Sequence, residues 1–518
     1  MEQARRISAA GLFLFLSFWF SAEAQAVYVD GDNTLQFSAK AQSRTSIRLQ
    51  DSEGFTEPQN ISVGNLVQWR NIAYLEVNHD LWKIMEEVSF FRPLKRAGIE
   101  AKYRLVGRII YEAIYNIGPQ GFQDIRDRDK ENVDEFKQQY DLWEGYIDLS
   151  RGPLFFRLGR QNLAWGETDI FRLLDQINPL DNTFGGIFED LDDRRIPLWM
   201  LRGSVNLGTV GPLDSLSLEG FWVPGTWDAH VSPWPPFGTA YYPPLGALPP
   251  PLQQRIVYPD RTVSSSRWGT RLMGVLLGVN CSVAHYKTFT DLPQPVFVID
   301  PDPVPFGSPF QELRFDDIQI TGAAFNFWQP TVDAVFRAEL AWFWEEAVFI
   351  PEINIPLAPP PIPIPGVPVV PQNGQIPDKD FLRFMAGIDK QLWVRSLNRK
   401  QMFFFSLQYF GQWAPEFDER MRQGIPIPPA GADFVPVKEI ESTLTALVNN
   451  NWMDGRLTPQ LALAYDVRGA WLIQPSVNFI REPFRFMLQY SGIQGALTGF
   501  GAFRDRDQVS LSVTYLLN

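Results

Sequence analysis

The sequence predicts an all-β fold, a transmembrane antiparallel up-and-down β-barrel of about 16 to 18 strands with long extracellular loops. Three observations carry this. Apolar and polar residues alternate with period two over runs of roughly ten or more residues, longer than a usual globular strand. Short and long connections take turns along the chain, as periplasmic turns and outer loops do. The chain of 518 residues also opens on an export signal and then offers no transmembrane-helix segment.

The signal is read from Arg5 and Arg6, the apolar run 9–20, and Ala22-Glu23-Ala24. Residues 1–24 form a cleavable signal peptide, because about a dozen apolar residues are too few to span a bilayer. Residues 25–518 are then the barrel. Cleavage removes Arg5 and Arg6 together with Glu2 and Glu23, so the net charge of −13 is unchanged. That sign disfavours nucleic acid as a partner. Cys281 is the single cysteine and can close no internal disulfide. His79, His230 and His285 are scattered, with no nucleophile and orienting group beside them, and no spacing suggests zinc. Catalytic residues, metal ligands and cofactors are therefore all assigned as none.

The clearest strand is 35–50. Leu35, Phe37, Ala39, Ala41, Ile47 and Leu49 take one phase, and Gln36, Lys40, Gln42, Arg44, Arg48 and Gln50 the other. The same alternation recurs at 66–78 and at 99–115, where Tyr103, Leu105, Ile109 and Tyr111 oppose Lys102, Arg104, Arg108 and Glu112. A charged loop, IRDRDKENVDEF, precedes strands at 142–149 and from 154. Further strands are expected at 198–207, 215–223, 267–278, 281–290, 315–327, 334–346, 381–394, 401–412, 439–448, 457–466, 470–480, 484–490 and 508–517. In the strand at 334–346, Phe336, Ala338, Leu340, Trp342 and Trp344 face lipid, while Arg337, Glu339 and Glu345 face the lumen.

With the first strand running outward, eighteen strands return the C-terminus to the periplasm and let the last strand close on the first. Sixteen is the alternative, because 466–469 is short for an outer loop and 81–94 long for an inner turn. The 17 Trp and 15 Tyr suit aromatic girdles at the two membrane interfaces. A soluble sandwich or propeller would need shorter strands and an apolar inner face. Two outer loops, 224–263 and 351–377, are proline-rich, and proline at that density forbids regular pairing. They either cap the mouth or meet a greasy ligand or partner.

The candidate site is the long connection after the fifth strand, with 165–195 as an in-folded constriction loop. Glu167, Asp169, Asp175 and Asp181 in that loop are expected to face Arg104, Arg108 and Arg157 on the wall, setting a transverse field across a narrow pore. Gln161, Trp165 and Asn178 complete the site, and Gly159, Gln161 and Trp165 hold the loop. In the alternative, Trp165, Asn178 and Pro179 only fix the loop's geometry and its carboxylates stay solvated outside. Arg160 lies out of phase with Arg157, so it sits above the lipid band or follows a bulge.

LGRQNLAWGETDIFRLLDQINPLD, with RRIPLWMLRGSVNLG and LEGFWVPG behind it, resembles the Gram-negative outer-membrane proteins of the domain of unknown function 1302 family. The likeness runs on through SSRWGTRLMG, ITGAAFNFW, FSLQYFGQW and the terminal VSLSVTYLLN. It implies a porin-like barrel in the cell outer membrane, in contact with outer-membrane lipid. It also implies a conduit for hydrophobic or lipid-like molecules that works with a periplasmic lipoprotein and an inner-membrane efflux-type transporter. Two other classes are weighed against the conduit. An outer-membrane lipid-modifying hydrolase would need a serine, histidine and carboxylate converging at the rim. A surface structural or adhesive barrel would use the proline loops.

Overall fold

The computed structural model describes residues 27–51, 61–236, 238–243, 254–299, 309–354, 373–427 and 433–517. The segment expected to be a signal peptide lies outside these residues, as do 237, 244–253 and 355–372 of the proline-rich loops. Eighteen strands form the barrel. In order they are β1 (Leu35–Arg48), β2 (Leu66–Asp80), β3 (Glu100–Glu112), β4 (Gln138–Arg151), β5 (Leu154–Gln161) and β6 (Leu198–Val210). Then come β7 (Leu213–Val223), β8 (Arg267–Leu276), β9 (Val279–Phe289), β10 (Asp317–Gln329), β11 (Ala334–Ala347) and β12 (Asp378–Leu392). The last are β13 (Phe403–Trp413), β14 (Ile440–Asn449), β15 (Leu457–Asp466), β16 (Ala470–Arg481), β17 (Phe484–Gly495) and β18 (Gln508–Leu517).

Each strand pairs antiparallel with the next, and β18 closes on β1 from Ala39↔Leu517 to Arg48↔Gln508. Closure leaves no edge over the paired length, so the backbone is satisfied without water. The period-two pattern decides which face meets what. On β18, Gln508, Ser510, Ser512 and Thr514 are buried in the lumen while Leu511 stands outward. Leu75 on β2 is 61% exposed and Leu488 on β17 is 53% exposed, which water would penalise and a bilayer accepts. A closed barrel with such an apolar outer face is an outer-membrane protein.

The count of eighteen is reached because both doubtful connections are real. Asp466 and Ala470 pair across a tight outer hairpin, and the long inner turn is filled by two short helices, Trp82–Glu87 and Arg92–Arg96. Several other inner turns are tight, with two residues between strands at 152–153, 211–212, 277–278 and 482–483. Leu277 and Gly278 both carry positive φ, 52° and 83°, the backbone twist that a two-residue hairpin between twisted strands requires.

Several expected boundaries move. The third strand stops at Glu112, and Ile114–Ile117 is helical. The charged loop folds into helices Gln120–Arg128 and Lys130–Lys137, which bury Phe122, Ile125 and Val133 at helical spacing. On β11 a bulge at positive-φ Glu345 hands the inward position to Glu346, which pairs with Arg383 at 2.9 Å. The proline-rich loop also regains pairing at its end. Gln254–Val257 lies parallel to Pro309–Arg314 from the next outer loop, which itself pairs with Gln294–Ile299.

Candidate functional site: the loop across the lumen

After Gln161 the chain leaves the wall and turns inward. Gln161 is buried and its Nε2 donates to the Met200 carbonyl at 3.2 Å. Asn178 clamps the neck of the loop: its Oδ1 accepts from the Leu163 amide at 2.9 Å and its Nδ2 donates to the Ile196 carbonyl at 2.7 Å. One side chain thus ties the outgoing and returning legs, satisfying backbone groups that lost their ladder partners.

Beyond the neck the loop packs against β7 to β13. Trp165 is buried edge-on against Phe221 and Tyr286, with ring centroids 5.2 and 5.8 Å away, and its Nε1 donates to Glu219 at 3.2 Å. Leu163, Leu173, Leu174 and Ile177 join it in one apolar cluster with inward wall residues such as Met200, Ile320, Phe343 and Met385. Glu339 on β11 receives the backbone amides of Glu167 and, at 3.1 Å, Leu174. Asp169 pairs with Arg337 at 2.6 Å and accepts from Ser406 at 3.2 Å and Gln408 at 2.9 Å. Arg337 also donates to the Glu167 carbonyl and pairs with Asp389 at 2.8 Å.

The second half of the loop reaches the opposite wall. The Phe188 carbonyl accepts from Gln474 and Gln489, both at 3.1 Å, and Gln68 donates to the Phe184 carbonyl. Glu189 is buried between Arg70 at 2.5 Å and Arg44 at 3.6 Å. The loop therefore runs from β11 and β13 to β1, β2, β16 and β17, tied by charge at both ends.

The expected transverse pairing is corrected by these contacts. Arg104 pairs with Glu76 at 3.1 Å and Glu144 at 3.4 Å, Arg108 with Asp141 at 3.0 Å, and Arg157 with Asp148 at 2.6 Å. Each wall cation is neutralised by a carboxylate on a neighbouring strand, which lies nearer than the loop can approach. Among the loop carboxylates, Glu167 accepts from Asn326 at 3.0 Å, Asp175 pairs with Arg195, and Asp181 accepts from the Thr183 amide at 3.0 Å. The cations that meet the loop are Arg337, Arg70 and Arg44. Their inward phase is legible in the sequence, but their partners are set by long-range packing. Glu189 carried no local signal beyond its place in an acidic loop.

Burial alone would raise the Glu189 carboxyl, but the Arg70 and Arg44 charges outweigh it and hold it below its ordinary value. Burial pushes Asp175 upward against the pull of Arg195 and Arg172. A depressed carboxylate gives stabilisation that is present at neutral pH and lost as pH falls through its folded value. The Glu189 tether should therefore hold at neutral pH and release only in acid, below the ordinary glutamate range. Conductance recorded at pH 7 and then at acid pH should rise and become noisier in the native protein. A Glu189→Gln variant should be noisy throughout and show little further change; an equal acid response in that variant would refute the assignment.

The histidines offer no triad. His79 contacts Tyr103 at 3.2 Å, His285 contacts Thr321 at 2.8 Å, and His230 contacts Asp228 at 2.6 Å, with no serine hydroxyl recorded on any of the three rings among the described residues.

A closed eighteen-stranded barrel whose fifth strand hands over to a loop crossing the lumen is an outer-membrane barrel of porin-type architecture. The chain belongs to the DUF1302 family, described as proteins of unknown function, whose model matches residues 7–517. Curated proteins give no match. Among solved structures it is similar to the outer-membrane protein OpdK of Pseudomonas aeruginosa, at 9% identity and a TM-score of 0.44 over 93% of this chain and 98% of that one. OccAB3 of Acinetobacter baumannii is 9% identical with a TM-score of 0.46, again over 93% of this chain and 98% of its own. OccK9 (OpdG) of Pseudomonas aeruginosa gives 9% and 0.47 with the same coverage, 93% and 98%. Likeness at this level says nothing of this chain's cargo.

Proposed function

We propose that this protein is a loop-constricted outer-membrane conduit for hydrophobic or lipid-like molecules. The observation that carries the reading is the loop bound to both walls, with Asp169 on Arg337 at one end and Glu189 on Arg70 at the other. A segment held by charge at two ends, buried at Glu189 and open to solvent at Asp169, is a strut that narrows the lumen. The outer vestibule, a cavity of about 1060 Å³, suits an amphiphilic cargo: Phe136, Trp143, Trp234, Tyr258 and several prolines line it together with charged groups such as Arg108, Glu135, Asp141 and Arg160.

In this reading the barrel works with envelope partners, a periplasmic lipoprotein and an inner-membrane efflux-type transporter, as the family resemblance implies. The inner turn between β2 and β3 offers them a surface, with Phe90 79% exposed beside Phe91.

The test is accumulation of dyes in Gram-negative cells, whose outer leaflet slows apolar solutes. Cells carrying the intact protein should accumulate a chain-bearing dye several-fold faster than control cells, with little change for a hydrophilic dye of similar mass. Entry of the hydrophilic dye alone, or of neither, would remove the cargo assignment.

A further inference from the structure

The wall has a step where β4 outlasts β5. On its β3 side β4 is paired up to Tyr111↔Gln138, but on its β5 side pairing begins only at Gly145↔Arg160. Among the described residues no strand pairs with 138–144 on this side, which leaves a backbone edge about 20 Å long at the usual strand rise. The cause is the loop, which takes the chain inward directly after Gln161. Arg160 caps this edge, with Nη1 donating to the Leu142 carbonyl at 2.7 Å and Nε to the Pro197 carbonyl at 3.2 Å.

Arg160 belongs to the outward phase of β5, opposite Trp199 on β6. It nonetheless lines the same vestibule cavity as Arg108 and Asp141, which face inward. Outward-phase Arg160 and inward-phase Arg108 and Asp141 thus meet in one cavity at the step in the wall. Below Arg160 the lipid face carries an apolar groove of about 630 Å³ between Leu105, Ile147, Leu158 and Trp199, floored by Gly145. Arg160 stands between the two, because its register partners Gly145 and Trp199 line the groove while it lines the vestibule itself. Arg104, Arg108 and Arg157 spend their charge on carboxylates, whereas Arg160 contacts two backbone carbonyls and the face of Trp143, 5.7 Å from the ring centroid.

We propose that this seam is a lateral port that takes a single-chain amphiphile with a carboxylate head between the outer leaflet and the vestibule. The chain lies in the glycine-floored groove and the head meets the Arg160 guanidinium, which is suited to planar anions. Groove walls on neighbouring strands leave room for one chain, which disfavours multi-chain lipids. The proposal rests on the conduit reading and names its substrate class.

The test is photo-crosslinking of a sixteen-carbon fatty acid bearing a chain-end diazirine to the mature protein in phosphatidylcholine nanodiscs, with labelled residues mapped by mass spectrometry. Labels should concentrate on the groove and on the vestibule around Trp143 and Trp234. Arg160→Gln should cut labelling about ten-fold, as expected for loss of a charge-assisted contact, with partial rescue by Arg160→Lys. Gly145→Leu, whose added Cβ first meets the flexible Leu142 side chain at 2.9 Å, should fill the groove and cut labelling too. Heat-modifiable gel migration checks that each variant remains a folded barrel. Labels spread evenly around the belt, labels displaced equally by excess phospholipid, or labelling indifferent to Arg160→Gln would each overturn the port. A protein that labels at the seam but fails to admit the apolar dye overturns the conduit and keeps the port as a binding site. One that admits the dye with even labelling overturns the port alone.

Discussion

Excision of residues 167–193 from the mature protein should raise single-channel conductance roughly several-fold, because a barrel of this strand number leaves a water-filled lumen once nothing crosses it. Assembly should survive, since the closing register from Ala39↔Leu517 to Arg48↔Gln508 involves no loop residue. The excised barrel loses Leu173, Leu174 and Ile177, which now share one apolar cluster with inward Met200, Ile320 and Phe343. Its heat stability should therefore fall even as current rises. Silence in the native protein followed by current in the excised one would mark a closed conduit that opens with a partner or cargo. Identical currents in both would end the constriction role.

The second large effect is expected at Arg337. Arg337→Ala strands Asp169 and Asp389, both within 2.8 Å of its guanidinium, and frees the Glu167 carbonyl. Removing one partner of a buried charge pair costs about 3–5 kcal/mol, and the exposure of Asp169 lowers the cost here. Here most of that cost can be relieved by the loop letting go of β11 while the wall strands stay paired. The expected record is a folded barrel with frequent transitions to a higher conductance. Asp169→Asn should give a milder form of the same record, and the double variant should add little, as residues sharing one network do. An Arg337→Ala barrel with quiet native current would show that the tether at Glu189 and the apolar packing of Trp165 suffice.

The wall was readable because its physics is local. Alternation such as Leu105 and Ile109 against Arg104 and Arg108 follows from a strand with lipid on one face and polar groups on the other. Turn chemistry at Leu277-Gly278 is likewise a property of neighbours. Helices at 120–137 escaped notice because high charge masked the spacing of Phe122, Ile125 and Val133.

The sequence by itself determined the barrel, its strand phases and the presence of a long carboxylate-rich loop after the fifth strand. Tertiary structure alone decided the pairings: Arg108 took Asp141 from the adjacent strand, and Arg337, whose partner lies 168 positions away in the chain, took Asp169. Charge seeks the nearest opposite charge in space, and distance in space across a closed barrel is set by curvature, shear and loop packing. None of these is written in the spacing of residues along one strand.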